Sequence, residues 1–430
     1  MRARLLLLAA ALVAYGASLG SGFHFDDYAI FSGPLLKSGA LLAPGPLTRL
    51  SFWLNYQAGS GAFLCHTFNL ALHLGAVLLL YECVKRMEGT RAAFLAAAIF
   101  AVHPLQAEAV NYISARGFLL SAVLLLAALA SWLRSQEKSG WQAKAPAPLF
   151  LAAVLLANDQ WTLHAAPGVH TAHYLLAQGV VAWRYLRLLV APWGFTVDPD
   201  VREPAVWLAV AAWVALLLAA AALWRWRAKS PAILWAFAGF FLMIGCALFP
   251  ARDLAADYRT YLPMIGFSAA AGILLERVKP REAAMGVVLL LAVAGAARSW
   301  VWLSDERLWR EAVRRAPEKA RPKVQLAHAV RAAEALELLS QARELDPYDP
   351  DVPAAIGKVL LDERQPDAAL TEFGRALALD PRNAVNLNNR GVALAEIGQT
   401  EAARLDFERA LEIDPDLAEA RENLNKLPAR

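Results

Sequence analysis

The chain has 430 residues, of which 58% are hydrophobic and only 19% are charged. Soluble domains are closer to half apolar and a quarter charged, so this composition argues against a single water-soluble globule. The net charge of +4 is small for this length and argues against a nucleic-acid-binding surface. The cysteines lie in or beside apolar runs and show neither the CxxC spacing of a zinc site nor a disulfide framework. The composition therefore indicates a polytopic membrane protein.

Long apolar stretches alternate with short polar joints up to about Val301, and the remaining chain is charged and helical in period. A helix needs roughly 20 mostly apolar residues to cross the hydrocarbon core of a membrane. The sequence predicts an all-α protein, with a membrane helix bundle of about nine spans in residues 1–303 and a repeat domain in residues 304–430. The predicted spans are residues 5–20, 66–84, 92–103, 118–133, 148–157, 205–224, 232–250, 262–275 and 283–301.

Lys and Arg distinguish the two sides of the predicted bundle, because every second joint is basic, as the positive-inside rule requires. The N-terminus is therefore expected in the cytoplasm and the repeat domain in the periplasm or outside. The alanine-rich, lysine-poor composition favours a bacterial inner membrane. The first span also resembles a signal peptide, but we expect an uncleaved anchor. The basic joints include Lys85, Arg86 and Arg91, then Arg225, Arg227 and Lys229, then Arg277, Lys279 and Arg281.

One apolar segment, residues 174–193, contains Arg184 and Arg187. A tenth span at this place would reverse the basic joints that follow it. We therefore predict an amphipathic helix that lies on the outer interface of the membrane, with a tenth span as the alternative.

The strongest signal in the sequence is a repeat of 34 residues in the C-terminal domain. Gly357 and Phe373 recur 34 residues later as Gly391 and Phe407. A Leu-Asp-Pro or Ile-Asp-Pro motif recurs with the same spacing. This is the tetratricopeptide pattern, in which small residues let paired helices approach and Phe fills the gap. The sequence also predicts a degenerate copy upstream, whose first helix is shortened. A separate helix at the C-terminal end is predicted to cap the stack.

Asn388 and Asn389 are candidate partner-binding residues of this repeat domain. Tetratricopeptide stacks form concave surfaces that bind partners. The alternative is a scaffold in which these asparagines only cap or line a helix.

Chemistry in the membrane domain is expected on the outer joints. Asp26 and Asp27 follow the first span directly, and adjacent carboxylates are costly to hold near hydrocarbon. One of them is a candidate catalytic base that takes a proton from an acceptor hydroxyl. The alternative is that both carboxylates cap the following helix.

The other outer joints add ionisable side chains of both signs. Carboxylates suit a hydroxyl nucleophile, and Arg116 and Arg259 are candidates to hold a phosphate through charge-assisted hydrogen bonds. Each arginine taken alone is equally compatible with reaching toward lipid headgroups. The candidate substrate-binding residues are His103, Glu108, Arg116, Asp159, Arg259 and Tyr261.

His66, Asn69 and His73 share one face of the second predicted span. A metal site there would need acidic partners that the sequence does not place nearby, so no metal site is predicted. We expect hydrogen bonds between helices instead.

Several segments occur in the same order in one family of membrane proteins. They are FHFDDYAI, PLTRLSFWLNY, HTFNLALHLGAVLLLY, HPLQAEAVNYISARG, RYLRLLVAPWGFTVD, DYRTYLPMIGF and SWVWLSDERLWREAVRRAP. On these motifs the chain resembles the transmembrane-and-tetratricopeptide family of protein O-mannosyltransferase-like proteins, including its bacterial relatives, in the GT-C glycosyltransferase superfamily. The resemblance covers nearly the whole chain.

This resemblance implies transfer of a mannose-like sugar from a polyprenyl-phosphate carrier to Ser or Thr hydroxyls of proteins outside the cytoplasm. No cofactor is predicted beyond the lipid-linked donor substrate, and the sequence does not decide whether a divalent metal is needed. The resemblance also implies repeats that bind the acceptor or a partner protein. The family's acidic pair matches Asp26 and Asp27, one of them the base. Glu108, Arg116 and Arg259 fall where the family keeps polar pocket residues.

The sequence departs from the family pattern at three places. Phe118 stands where the family has an acidic residue, and Asn158-Asp159 replaces a Lys-Glu pair. A further helix pair is missing before Tyr174. The departures leave a second hypothesis open, a catalytically inactive, membrane-anchored repeat scaffold for the assembly of envelope or pilus proteins.

Overall fold

The computed structural model describes residues 1–25, 27–28, 30, 46–59, 61–135, 171–201, 204–248 and 253–428. Within these residues the regular structure is helical and contains no β-strand, which confirms the predicted all-α class. Two compact units form, Met1–Ser304 and Asp305–Arg430. The predicted domain boundary lies between residues 303 and 304.

The helices of the first unit are, in chain order, α1 (Arg2–Tyr15), α2 (Pro46–Gln57), α3 (Ala62–Glu88), α4 (Thr90–Val102), α5 (Ala107–Asn111), α6 (Arg116–Ser135), α7 (Thr171–Val190), α8 (Val206–Trp226), α9 (Pro231–Ala247), α10 (Pro263–Glu276) and α11 (Arg281–Val301). Short 3-10 turns extend or link them at Gly16–Gly20, Pro104–Gln106, Ile113–Ala115, Arg227–Lys229 and Asp257–Thr260.

Several of these helices are apolar and long enough to cross a membrane, which confirms a polytopic helix bundle. They are Arg2–Gly20, Ala62–Glu88, Ile113–Ser135, Val206–Lys229 and Arg281–Val301, and α4 with Pro104–Asn111 forms a further candidate that is bent by 50°. The apolar helices α9 and α10 are shorter. The predicted span 148–157 lies outside the described residues, so the total of nine spans stays a prediction. Helix α7 is not among the candidate spans, and its place on the outer interface also stays a prediction.

Close packing in the bundle depends on small residues. A Cβ atom added to Gly266 of α10 would collide with the backbone of Gly239 in α9. A Cβ atom on Gly272 of α10 would collide with the backbone of Ala96 in α4. Such close approach is typical of membrane helices, because small residues let backbones pack directly. Helix α10 is thereby held against both α9 and α4.

The polar residues of α3 form hydrogen bonds with neighbouring segments, as predicted. Asn69 Nδ2 donates to the carbonyl oxygen of Tyr112 over 3.2 Å. His73 Nδ1 lies 2.8 Å from the hydroxyl oxygen of Tyr261, and His66 Nε2 lies 3.0 Å from a backbone carbonyl oxygen in the loop after α1. These contacts connect α3 to the segments that carry the candidate site.

The second unit contains α12 (Asp305–Arg315), α13 (Ala320–Ala327), α14 (Ala332–Leu345), α15 (Asp351–Asp362), α16 (Pro366–Leu379), α17 (Ala384–Glu396), α18 (Thr400–Ile413) and α19 (Ala418–Lys426). Helices α15 to α18 form two complete helical hairpins. In the upstream copy the first helix, α13, has 8 residues, whereas α15 has 12, so the predicted shortening is confirmed.

The Gly and Phe of each repeat meet where the helices of a hairpin cross. A Cβ atom on Gly357 would lie 2.8 Å from the Phe373 ring, and a Cβ atom on Gly391 would lie 2.6 Å from the Phe407 ring. Both distances are too short for a real Cβ atom. Only glycine therefore lets the phenylalanine fill the gap between the paired helices.

Candidate functional site

Asp27 lies at a helical position in the loop segment that follows α1 and is completely buried. One carboxylate oxygen, Oδ1, accepts the backbone N–H of Ser114 over 2.8 Å and the Ser114 hydroxyl over 2.6 Å. The other oxygen accepts the backbone N–H of His24 over 3.0 Å. Burial raises the pKa of the Asp27 carboxyl from 3.8 to about 6, although these hydrogen bonds act in the opposite direction. A carboxyl with such a pKa is suited to accept a proton near neutral pH.

The backbone of the same loop is strained at Phe25. Its φ angle of 49° lies in the left-handed region, which bulky side chains rarely adopt. The Phe25 ring packs edge-on against Tyr112 and Trp302, with centroid separations of 5.6 and 6.2 Å. Such strain persists only where surrounding contacts impose it, and it is common at functional sites. The aromatic contacts hold the loop beside the segment that binds Asp27.

Arg116 is also completely buried, at the start of α6. Its Nε donates to Asn69 Oδ1 over 2.8 Å, and Nη2 donates to the Cys65 carbonyl oxygen over 3.1 Å. The guanidinium lies over the rings of Phe52 and Phe68, 4.3 and 4.8 Å from their centroids. Hydrogen bonds and cation–π contacts together stabilise the buried charge. This geometry suits a residue that joins α2, α3 and α6, and phosphate binding by Arg116 stays a prediction.

A second polar cluster surrounds Glu108 in α5. Glu108 Oε2 accepts the backbone N–H of Asp257 over 2.8 Å, and Arg184 Nη1 of α7 donates to Asp257 Oδ1 over 2.6 Å. Arg298 of α11 adds a second positive charge near Glu108. Within the described residues, Asp257 Oδ2 and Arg184 Nη2 are buried without a hydrogen-bond partner. Asp257 Oδ2 and Arg184 Nη2 therefore offer an acceptor and a donor to a further polar group.

Arg259 lies beside this second cluster, in the 3-10 turn before α10. Its Nη1 donates to the Tyr174 hydroxyl over 2.5 Å, and Nη2 donates to the Asp253 carbonyl oxygen over 3.1 Å. The side chain lines a small cleft of about 10 Å³, which has room for about one water molecule. The other lining residues come from α7, α9 and the same turn: Gln178, Ala182, Tyr185, Met243, Cys246, Ala247 and Thr260. The cleft thus combines one guanidinium with mostly apolar walls.

Tyr261 and His103 lie apart from both clusters. The Tyr261 hydroxyl contacts His73 inside the bundle, and its ring packs 5.3 Å from that of Phe100. His103 Nδ1 accepts the N–H of Leu105 over 3.2 Å, and Nε2 lies 3.1 Å from a carbonyl oxygen in α7. Their polar atoms are engaged within the protein. Substrate binding by these two residues stays a prediction.

The remaining predicted residues divide between the two units. Asp26 and Asp159 lie outside the described residues. In the repeat unit, Asn388 is mostly buried, and its Oδ1 accepts Nδ2 of Asn423 in α19 over 2.9 Å. Asn388 Nδ2 lies 3.4 Å from Asn389 Oδ1. Asn388 thus contacts the capping helix, and partner binding by either asparagine stays a prediction.

The two clusters are connected by the short segment from α5 to the start of α6. This segment carries Glu108 in one cluster and both Ser114 and Arg116 in the other. Between them lies Tyr112, whose ring contacts that of Tyr258 at a centroid separation of 6.2 Å. One segment therefore positions the candidate base and the second carboxylate.

Sequence reasoning missed Ser114, Arg298 and the pairing of Arg184 with Asp257. A signal was present for Arg184, because a charged residue in an otherwise apolar helix is costly and is usually functional. Ser114 has no comparable signal. Among the described residues, no three His, Cys, Asp or Glu side chains are grouped as metal ligands would be.

These features define a class of protein: a polytopic integral membrane protein with buried ionisable clusters and a C-terminal tetratricopeptide solenoid. A family model described as the tetratricopeptide repeat matches residues 384–417.

Among named proteins, the chain is similar to protein O-mannosyl-transferases. It is 35% identical over 158 residues to the protein O-mannosyl-transferase TMTC1 of Homo sapiens, covering 31% of this chain and 18% of the human protein. It is 33% identical over 174 residues to the protein O-mannosyl-transferase Tmtc1 of Drosophila melanogaster, covering 35% of this chain and 20% of the fly protein. The match thus spans a fifth or less of either relative. The expected resemblance to protein O-mannosyl-transferases is confirmed, whereas membership of the GT-C superfamily and a bacterial origin stay predictions.

Among solved structures, the chain is similar to YrrB, described as a tetratricopeptide-repeat protein with an unusual peptide-binding site. The identity is 26%, the match covers 35% of this chain and 86% of that chain, and the TM-score is 0.26. A TM-score of this size is too low to support an inference about this chain.

Proposed function

We propose that this chain is a membrane glycosyltransferase. It transfers a mannose-like sugar from a polyprenyl-phosphate carrier to Ser or Thr hydroxyls of proteins outside the cytoplasm. The observation that carries the proposal is the buried Asp27 carboxylate, held by Ser114 in the same short segment that carries Glu108. The names of the similar proteins support the reaction class.

Asp27 is the proposed catalytic base, together with or instead of its neighbour Asp26. Its raised pKa lets the carboxylate take a proton from an acceptor hydroxyl at neutral pH. Ser114 and His24 hold the carboxylate in a fixed orientation. A fixed base lowers the barrier because its position needs no adjustment during the reaction.

Arg259 and Arg184 are the proposed donor-binding residues. Arg259 lines the mostly apolar cleft, which is small and would have to widen to admit a phosphate that carries a hydrocarbon chain. Arg184 lies near Glu108 through Asp257 and retains a buried donor. Their positive charges would stabilise the phosphate as negative charge develops on it in the transition state.

The proposed reaction is a single displacement. The oxygen of the acceptor hydroxyl attacks the anomeric carbon and forms the new glycosidic bond, while the bond from that carbon to the phosphate oxygen breaks. The hydroxyl proton passes to Asp27 or Asp26, and the electron pair leaves with the polyprenyl phosphate. The configuration at the anomeric carbon is inverted.

The repeat unit is proposed to bind the acceptor or a partner protein, with Asn388 and Asn389 as candidate contacts. Tetratricopeptide stacks offer extended concave surfaces for this purpose. The proposed location is a bacterial inner membrane, with the N-terminus in the cytoplasm and the repeats in the periplasm.

A second function, a catalytically inactive membrane scaffold, is favoured by two observations. Asp27 already accepts three hydrogen bonds within the protein, and Arg116 is enclosed between two phenylalanine rings. Both arrangements also serve to join helices. The scaffold would gather envelope or pilus proteins through its repeats.

Sugar transfer in proteoliposomes distinguishes the two functions. The full chain is reconstituted with a polyprenyl-phosphate carrier bearing radiolabelled mannose and a mixture of unfolded, Ser- and Thr-rich peptides. The glycosyltransferase produces labelled peptide that is sensitive to β-elimination, and free polyprenyl phosphate in equal amount. The scaffold produces neither, although it remains folded.

A further inference from the structure

The last turn of α8 and the 3-10 turn Arg227–Lys229 that follows it form one segment rich in Arg, Lys and Trp. It contains Trp224, Arg225, Trp226, Arg227 and Lys229 and is called here the basic-aromatic turn. We infer that the basic-aromatic turn binds the phosphate group of an anionic phospholipid. The inference is independent of the proposed sugar transfer.

Two of the three cations of the turn, Arg227 and Lys229, lie over tryptophan rings. The carbon at the centre of the Arg227 guanidinium lies 3.6 Å from the centroid of the Trp224 ring, and Nη1 donates to the Trp224 carbonyl oxygen over 2.6 Å. The ammonium of Lys229 lies 5.5 Å from the centroid of the Trp226 ring. A guanidinium that is already ordered loses less conformational freedom when it binds a phosphate.

The turn concentrates positive charge that the protein does not neutralise. Arg225, Arg227 and Lys229 fall within five residues, and no carboxylate of the described residues forms an ion pair with any of them. Helix α9 begins immediately after the turn, and its N-terminal end adds partial positive charge. The turn is therefore complementary in charge to an anionic partner.

The surroundings of the turn indicate a lipid rather than a soluble anion. In the segment Val206–Lys229, only 17% of the apolar stretch is buried inside the protein. Most of this stretch is therefore on the surface of the helix bundle. Trp224 and Trp226 are 51% and 47% exposed at its end. Tryptophan in this position lies at the level of lipid headgroups, where the phosphates are. The adjoining apolar surface of α8 is available to the acyl chains.

A matched control exists between α10 and α11. Arg277, Lys279 and Arg281 form a second basic joint with the same number of cations and no tryptophan beside any of them in sequence, although Glu276 and Glu282 flank it. If the lipid were held only by general attraction, removal of three cations would weaken binding by a similar factor at either joint, roughly fivefold for each charge. A site built by the tryptophans would depend on the basic-aromatic turn alone.

The test uses the full chain in detergent, titrated with short-chain phosphatidylglycerol and with short-chain phosphatidylcholine, with bound lipid counted by native mass spectrometry. The triple variant Arg225→Gln, Arg227→Gln, Lys229→Gln is compared with Arg277→Gln, Lys279→Gln, Arg281→Gln. The expected result is at least a tenfold weaker affinity for phosphatidylglycerol in the first variant and less than a twofold change in the second. Phosphatidylcholine binding should not differ between them.

Further variants and a competitor complete the test. Arg227→Lys keeps the charge but loses the planar stacking on Trp224, so it should bind phosphatidylglycerol several-fold more weakly. This single variant tests the inference even if the triple variant does not fold. Glycerol phosphate at the same concentration should not displace the lipid. Equal losses in both triple variants, no loss in the first, unchanged binding by Arg227→Lys, or displacement by glycerol phosphate would each overturn the inference.

Discussion

Ser114 donates both its backbone N–H and its hydroxyl to the same carboxylate oxygen of Asp27, over 2.8 and 2.6 Å. This contact joins the loop after α1 to the turn before α6. Because the other oxygen accepts the His24 N–H, the buried carboxylate is satisfied on both sides. The side chain is thereby fixed in one orientation, and the predictions about the candidate base follow from this arrangement.

Asp27→Asn should reduce sugar transfer by about 100-fold or more, because positioned general bases contribute on the order of 10² to 10⁴ to the rate. The measurement is the initial rate of labelled-peptide formation in proteoliposomes. Glu82→Gln is the control, since it removes a carboxylate that pairs with the half-exposed Arg4. A normal rate in Asp27→Asn would remove Asp27 from the chemistry and leave Asp26 as the remaining candidate.

The stability of the wild-type protein should fall as pH rises through about 6. The pKa of Asp27 is raised in the folded state, so its contribution to stability is fully present below pH 3.8 and is lost as the folded carboxyl ionises near pH 6. A shift of this size corresponds to about 3 kcal/mol. Thermal unfolding in detergent between pH 4 and pH 7.5 measures the effect, and Asp27→Asn should show a smaller fall. The transfer rate needs the ionised carboxylate and should instead rise through about pH 6.

Arg184→Met should destabilise the membrane unit by about 3–5 kcal/mol, because it leaves buried carboxylates without their paired cation. Arg184 donates to Asp257, and Asp257 in turn donates its N–H to Glu108. The melting temperature of the full chain is the readout. Arg187→Met, on the same helix, removes only an exposed contact to a backbone carbonyl and should have little effect. Equal melting temperatures in the two variants would contradict the role assigned to the Arg184 ion pair.

Gly391→Ala should destabilise the repeat unit by about 1–3 kcal/mol, as overpacking does elsewhere. The new Cβ atom would lie 2.6 Å from the Phe407 ring. Gly374→Ala is the control, because nothing lies within 4 Å of its Cβ position. Hydrogen exchange of the α17 and α18 amides measures the difference. Faster exchange is expected in Gly391→Ala only, and equal exchange in both variants would show that the close contact with Phe407 is not needed.

The repeat unit could be predicted in detail because its information is local. Gly357 and Phe373 lie sixteen residues apart and recur with the same spacing at Gly391 and Phe407. The pattern therefore predicts both the helices and the contact between them. The shortened helix α13 could be predicted for the same reason.

The candidate site could be predicted only in part, because its contacts join distant segments. Asp27 was identifiable as a carboxylate directly after a span, but its partner Ser114 is an ordinary serine 87 positions later. Arg184 was visible as a charge in an apolar helix, whereas its pairing with Asp257 depends on how α7 packs. Tyr261 shares a joint with Arg259 but turns into the bundle, and composition does not reveal that direction.

The most direct test of the central claim is transfer of labelled mannose from polyprenyl phosphate to peptide by the purified full chain in proteoliposomes. We expect the wild-type protein to release one polyprenyl phosphate for each labelled hydroxyl. Asp27→Asn should lose this activity while it stays folded, with a lower melting temperature because the amide cannot accept all three hydrogen bonds. Absence of transfer by folded wild-type protein, with peptides still bound to its repeats, would contradict the glycosyltransferase and support the scaffold.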